Sequence, residues 1–299
     1  MTGIREIGED ELDELVEMMK AVNADTGGTT ASFIDWRRQA EDTTWLLADG
    51  AGAAVVLVGW HNPRHIAMTR LAVLPAQRGR GTGGALLAEA SAWAHRREAT
   101  ELEGEVREDD AESLAWAERR GFREIGRNSL LVLDLEAIDP PAPDPPPGIE
   151  IVTWAERPDL IRGMYEVACE SMPDIPGNEE VEAGPFEEWL SRDMQGEGDR
   201  PEATFVALAD GEVVGTAKLA IGEGRAFHDL TGVLRAWRGR GIAAALKRTQ
   251  IGWAKQQGYA RLETYNERRN EPIRRLNERY GYRAEPGQIL VRGPLSAGG

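Results

Sequence analysis

A single cysteine, Cys169, leaves this chain of 299 residues without a partner for an internal disulfide, so a reducing, cytoplasmic setting is the expectation. No run approaches the roughly 18 consecutive apolar residues of a membrane span. The start, Met1-Thr-Gly-Ile-Arg-Glu6, lacks the apolar stretch of a secretory signal. Histidines are scarce, and the pair His61 and His65 has Pro63 between its members, which speaks against a helical metal site. No metal is expected. Basic residues are the minority, 35 against 51 acidic, for a formal charge of −16. That balance disfavours nucleic acid and anionic membranes as partners, and it suits a cationic small molecule such as an amine. The same acidity also serves plain solubility.

What is present points to two domains. Residues 139–148 hold six of the sixteen prolines, a composition that excludes helix and inner strand and suits an extended spacer. The flanking stretches, 1–138 and 149–299, are each long enough for a core of their own. They are also related. At a fixed shift of 160 residues, Val73–Arg123 and Val233–Arg283 share 17 identities in 51 positions without a gap. Two copies are too few for a solenoid, so the pattern is a domain duplication.

Periodicity and turn residues give both halves the same order of elements. In the second half, a strand at 149–154 precedes helices at 158–169 and 185–194. Thr204–Ala209, the Asp210-Gly211 turn and the run from Val213 form a hairpin, and a further strand reaches Val233. A long helix over 241–257 stops before Gly258. A strand at 261–266, a helix at 270–280 and a final pair of strands, through Tyr282 and 289–292, complete the copy. The first half repeats this with a helix at 11–22, a hairpin about Gly50–Gly52, a helix from Gly83, a strand at 101–106 and a helix at 111–120.

Most of the chemistry resides in Arg238-Gly239-Arg240-Gly241-Ile242-Ala243 and its twin Arg78-Gly79-Arg80-Gly81-Thr82-Gly83. Each follows an apolar strand and opens a long helix. Glycines permit close approach of the backbone, free amides at a helix start favour phosphate, and arginines add charge-assisted bonds. The run Gly79–Gly84 also satisfies a dinucleotide fingerprint, with Glu103 and Glu263 about 20 residues beyond each loop. Its position after a hairpin, in mid-domain, counts against that reading. A triphosphate loop fits worse, because no Gly-Lys-Ser/Thr closes the motif.

Strand, Arg-x-x-Gly-x-Gly/Ala and helix together resemble the signature of the GNAT superfamily of acyl-CoA-dependent N-acyltransferases. The run Asn270–Tyr282, an Asn-led helix ending in Tyr-Gly-Tyr, is similar to that family's second signature. The resemblance implies an α/β (α+β) fold in each half: a mixed, mostly antiparallel twisted sheet with a splayed parallel strand pair flanked by helices. It implies acetyl-CoA as acyl donor and a primary amine as acceptor, joined by direct attack, with the protein a monomer or homodimer. Val233 and the amides of Arg238 to Ala243 would hold the donor, with Asn270 on its pantetheine arm. Val73 and Arg78 to Gly83 are their counterparts, and Asp110 stands where the asparagine would be. A non-catalytic acyl-CoA-binding or regulatory protein is the alternative.

By the same resemblance Tyr280 stands where the family places an acid near the thioester sulfur. A thiol near pKa 8.5 is a weaker base than a phenolate near 10, so full proton delivery is uphill by roughly 2 kcal/mol. Hydrogen bonding to the developing thiolate is the expected role. The first half has Arg120 at the matching position, and a guanidinium donates no proton near neutrality. The first half is therefore expected to be silent or weak and the second to carry the chemistry. Glu263, Asp229 and His228 are candidates for the base, and Asp229 for binding a cationic substrate. Cys169, Trp93 and Trp253 read as packing residues.

Overall fold

The computed structural model describes residues 3–23, 29–59, 62–175, 182–222, 224–267 and 271–296. In chain order the elements are β1 (Ile4–Glu6), α1 (Leu12–Val22), α2 (Thr30–Gln39), β2 (Asp42–Ala48), β3 (Gly52–Val58), β4 (Ile66–Val73), α3 (Thr82–His95), β5 (Glu101–Arg107), α4 (Ala111–Glu118) and β6 (Arg123–Asp134). There follow β7 (Ile149–Thr153), α5 (Ile161–Ser171), α6 (Phe186–Asp193), β8 (Asp199–Ala209), β9 (Glu212–Gly222), β10 (Arg225–Val233), α7 (Ile242–Gln256), β11 (Arg261–Glu267), α8 (Glu271–Arg279) and β12 (Arg283–Pro294). Among the described residues no helix is long and apolar enough to cross a membrane.

Each copy follows the expected order, with α2 as an element the sequence pattern did not show. Thr29 caps α2: its side chain accepts from the Ser32 amide, and Ser32 returns the bond, a capping box that fixes the helix start. The Asp210-Gly211 turn has φ of 49° and 85°, two successive left-handed residues as a tight type I′ hairpin demands. The expected final pair of strands is a correction. Residues 283–294 form one strand, β12.

Two compact units emerge, the first made of two stretches of chain and the second of one. One holds residues up to Gly126 together with those from Gln288 onward; the other is Arg127–Gly287. In the first unit the strand order is β1-β2-β3-β4-β5-β12, and in the second β6-β11-β10-β9-β8-β7. Gln288–Pro294 of β12 pairs antiparallel with β5. Asn128–Asp134 of β6 pairs antiparallel with β11. Each unit thus completes its sheet with a strand from the other half of the sequence. The expected boundary at 139–148 marks the junction of the repeats, whereas the compact units break at 126/127 and 287/288. Both closing strands are apolar, with Leu130, Leu131 and Val132 in one and Ile289 and Val291 in the other buried.

Burial on both faces of the sheets explains the central strands. In β3 every residue is buried. Ala54, Val56 and Val58 pack with Leu86, Ala90 and Trp93 of α3, while Val55 and Leu57 pack with Leu12 and Leu15 of α1 and Phe33 of α2. Successive side chains alternate between faces, so a continuous apolar run signals helices on both sides. The second unit repeats this arrangement: Phe205 and Ala207 face the layer of Leu246 and Ile251 on α7, and Val206 and Leu208 face Met164 and Trp189.

Candidate active site

In both units the helix that follows the glycine loop begins at a left-handed glycine. Gly81 has φ 90° and Gly241 φ 85°, and neither helix start carries a side-chain cap. Gly79 and Gly239 are left-handed as well, at 74° and 76°. A Cβ at Gly79, Gly81 or Gly239 would meet nothing within 4 Å. Backbone conformation, not crowding, thus requires glycine, since a left-handed L-residue costs roughly 1–2 kcal/mol. The open space beside these glycines, at the positive end of the helix, suits a diphosphate. Arg78 and Arg238 brace their loops identically, donating from Nε to the carbonyl of Val73 at 3.4 Å and of Val233 at 3.0 Å. Arg238 also pairs with Asp174 at 2.7 Å, as Arg235 does at 2.8 Å. These bonds from Arg235 and Arg238 hold the Asp174 carboxyl far below the ordinary range.

Ahead of each loop two parallel strands part. β4 and β5 pair only from Ile66↔Glu101 to Met68↔Glu103, and β10 and β11 only at Ala226↔Leu262 and Phe227↔Glu263. In the first unit Gly104 sits just past the parting, where a Cβ would lie 3.0 Å from the Thr69 carbonyl oxygen. A cavity of about 520 Å³ extends there from the loop between the strands to α1, lined among others by Gly81, Val73, Gly104, Trp116, Arg120 and Met19. The second unit has a smaller cleft of about 370 Å³, lined among others by Val233, Gly241, Ala243, Ala244, Leu276 and Arg279.

Not every expected site residue reaches these clefts. Val73, Arg78, Gly79, Gly81 and Gly83 line the first cleft, and Val233, Arg238, Gly239, Gly241, Ile242 and Ala243 the second. Asn270 lies outside the described residues. Tyr280 is not among the lining residues. Its hydroxyl accepts from Arg248 Nη1 at 3.3 Å, and the same guanidinium donates to the carbonyls of Pro143 and Asp144. Through this bond the side chain, at the end of α8, meets α7. Arg120, its counterpart by sequence, does line the first cleft and stacks on Trp116 at 3.9 Å.

The carboxylates are engaged elsewhere. Glu263 is 2% exposed and lies 3.4 Å from Arg261 and 3.8 Å from Arg225. Asp229 meets Lys218 at 2.8 Å, and Lys218 meets Asp199 at 2.6 Å. Burial opposes the Lys218 charge, but Asp229 and Asp199 outweigh it and raise its pKa. The Asp229 side chain is nevertheless 48% exposed, just where β10 departs from β9 register between His228 and Thr231. His228 is buried, with Nδ1 2.9 Å from Gln250 Oε1 and Nε2 on the Tyr282 hydroxyl. Burial, then the charge of Lys247, hold its pKa well below 6.5.

In the second unit His228, a candidate base in the sequence, belongs to a set of buried polar residues whose other members the sequence reading did not single out for chemistry. His228, Lys247, Gln250, Asn277 and Tyr282 are all buried, and Asn277 Nδ2 donates to Asn266 Oδ1 at 2.7 Å. At the shift of 160 residues the first unit has Met68, Leu87, Ala90, Ala117, Phe122 and, for Asn266, Val106. Every one is apolar. The signal was available in the differences between the repeats, which a search for identities passes over.

A glycine-loop helix at the end of a parting pair of parallel strands is thus present twice. The chain matches the Acetyltransferase (GNAT) family over residues 10–122 and again over 161–282, and it belongs to that family. Its fold is similar to that of a GCN5-related N-acetyltransferase from Sphaerobacter thermophilus, at 26% identity and TM-score 0.75, covering 99% of this chain and 96% of that one. A tandem GNAT protein from the clavulanic acid biosynthesis pathway has the same TM-score at 19% identity, with 99% of each chain covered. A GCN5-related N-acetyltransferase from Kribbella flavida follows at 18% identity and TM-score 0.56, over 88% of this chain and 93% of that one. No curated protein matches the chain significantly in sequence.

Proposed function

We propose that the protein is an N-acyltransferase that moves an acetyl group from acetyl-CoA to a primary amine by direct attack, with the chemistry in the second unit. The observation that carries this reading is the uncapped glycine-loop helix at the mouth of a parted strand pair, joined in the second unit by buried polar groups. Such groups cost free energy in a core and persist where they have work at a reacting centre. Backbone amides of Arg238 to Ala243 hold the diphosphate of the donor, and the strand ending at Val233 lies along its arm. The first unit, with apolar residues at the same six positions, holds a donor molecule without turning it over.

The acceptor is a small, cationic amine. The charge of −16 draws it in, and Asp229, half exposed at the irregular stretch of β10, is the carboxylate that receives it. The amine attacks in its neutral form and loses its proton to water, since Glu263 is enclosed by arginines. Thiol release from acetyl-CoA across a panel of primary amines tests the reading. Turnover should vanish in Gly241→Val and survive in Gly81→Val. Acetyl-CoA binding without thiol release for any amine would favour a binding module instead.

A further inference from the structure

The two copies differ in a matched way where the helix after the glycine loop begins. α3 opens with Thr82-Gly83-Gly84 and α7 with Ile242-Ala243-Ala244, while Trp116 and Arg120 stand where the second copy has Leu276 and Tyr280. Contacts in the first unit explain the pairing. A Cβ at Gly83 would lie 3.3 Å from the Trp116 indole, and one at Gly84 would lie 3.7 Å from Arg120 Nη2. The bare first turn of α3 thus seats the indole. The guanidinium rests on the indole face, 3.9 Å from its centre, with one edge over the same turn.

Arg120 lines the first cleft together with Gly81, Gly83, Gly84 and Trp116. Its Nη1 donates to the Trp116 carbonyl at 3.1 Å, and among the described residues no carboxylate pairs with it. Acidic residues outnumber basic ones by 51 to 35, so counter-charges are plentiful elsewhere in the chain. Arg78, on the same cleft, has Glu112 at 3.2 Å. A cation is favoured at the C-terminal end of α4 in any case. That preference accounts for neither the glycine pair opposite nor a side chain laid along the cleft wall.

Resting on the reading above that the first unit holds a donor molecule, we propose that Arg120 is a direct ligand of the donor's diphosphate in the first cleft, with Trp116 as the residue that positions it. The first amides of a helix have no partner within it. A guanidinium beside them adds forked, charge-assisted bonds that phosphate oxygens accept. The stack on Trp116 fixes the plane of the fork before the ligand arrives, which lowers the ordering cost of binding. The second unit has a neutral phenol at this position, engaged with Arg248. The first cleft is therefore the tighter of the two for the donor.

The test is titration calorimetry of the full chain with acetyl-CoA, comparing wild type with Arg120→Met and Arg120→Lys. Methionine keeps an apolar stem on the indole and removes the charge; lysine keeps the charge and loses the fork. The tightest site should weaken about 10- to 100-fold in Arg120→Met, as for a lost hydrogen bond to a charged group, with Arg120→Lys in between. Added sodium chloride should weaken that site less in Arg120→Met than in wild type, because one screened charge pair is gone. A loss of packing alone would leave the salt response unchanged. The proposal is overturned if no site weakens more than about threefold in folded Arg120→Met, or if its salt response equals that of wild type. A wild-type chain that binds no acetyl-CoA overturns the donor reading of the first unit, and this proposal with it. Binding without thiol release for any amine overturns the acyl-transfer reading alone.

Discussion

The Tyr280 hydroxyl lies 3.3 Å from Nη1 of Arg248, on the side of α8 that meets α7. Tyr280→Phe removes a partly exposed bond worth about 1 kcal/mol. It should leave thiol release within about threefold of wild type, measured by steady-state kinetics at saturating acetyl-CoA, with a slightly lower melting temperature. A 100-fold loss of kcat would return the acid role to Tyr280.

Glycine substitutions separate the two units. Gly81→Ala and Gly241→Ala force an alanine to φ 90° and 85°, at roughly 1–2 kcal/mol each. Titration calorimetry with acetyl-CoA should lose about one site per chain in each variant, and only Gly241→Ala should impair turnover.

Closing the first cleft is the complementary change. A Cβ at Gly104 meets the Thr69 carbonyl at 3.0 Å, and the larger Gly104→Val side chain fills the gap where β4 and β5 part. Acetyl-CoA stoichiometry should fall while kcat is kept. Full loss of kcat would place the chemistry in the first unit.

The Lys218 bridge predicts stability. Removing the ammonium in Lys218→Met leaves Asp199, 9% exposed in its side chain, as a buried carboxylate without its partner. Breaking a buried pair costs about 3–5 kcal/mol, readable as a lower urea midpoint. The Lys218 pKa is raised in the folded protein, so its contribution is complete below the unfolded lysine value near 10.4 and fades as pH rises beyond it.

Lys247 has the opposite sign. Its folded pKa of about 7 lies below the unfolded value, so folding stability rises with pH from about 7 toward 10.4 and is lowest when the lysine must be charged. Lys247→Leu should therefore melt higher than wild type at pH 6, and the gap should shrink at pH 9. A lower melting temperature at pH 6 would show that the ammonium is stabilising.

Much of the fold was legible because its signals are local. Asp210-Gly211 states its own turn, Gly81 and Gly241 announce helix starts, and the valine-rich β3 shows a strand covered on both faces. Of the site, the sequence showed the two glycine loops and the helices they open. A motif position fixes the backbone and leaves the direction of a side chain to its neighbours, as with Tyr280 beside Arg248. Lys247, Gln250 and Asn277 escaped because each reads as an ordinary residue until the packing shows it buried.

The amino-acid order alone determined the left-handed glycines and the alternation of strands and helices, since each depends on residues within a few positions of one another, and the duplication, since it is a likeness of sequence. Tertiary structure decided that β12 closes the first sheet and β6 the second, and that Lys247, Gln250 and Asn277 are buried. Strand partners and side-chain surroundings depend on groups as far apart as 205 positions, as for Ser296 against Ser91. At that separation the free energy of packing makes the choice, and local preference is silent.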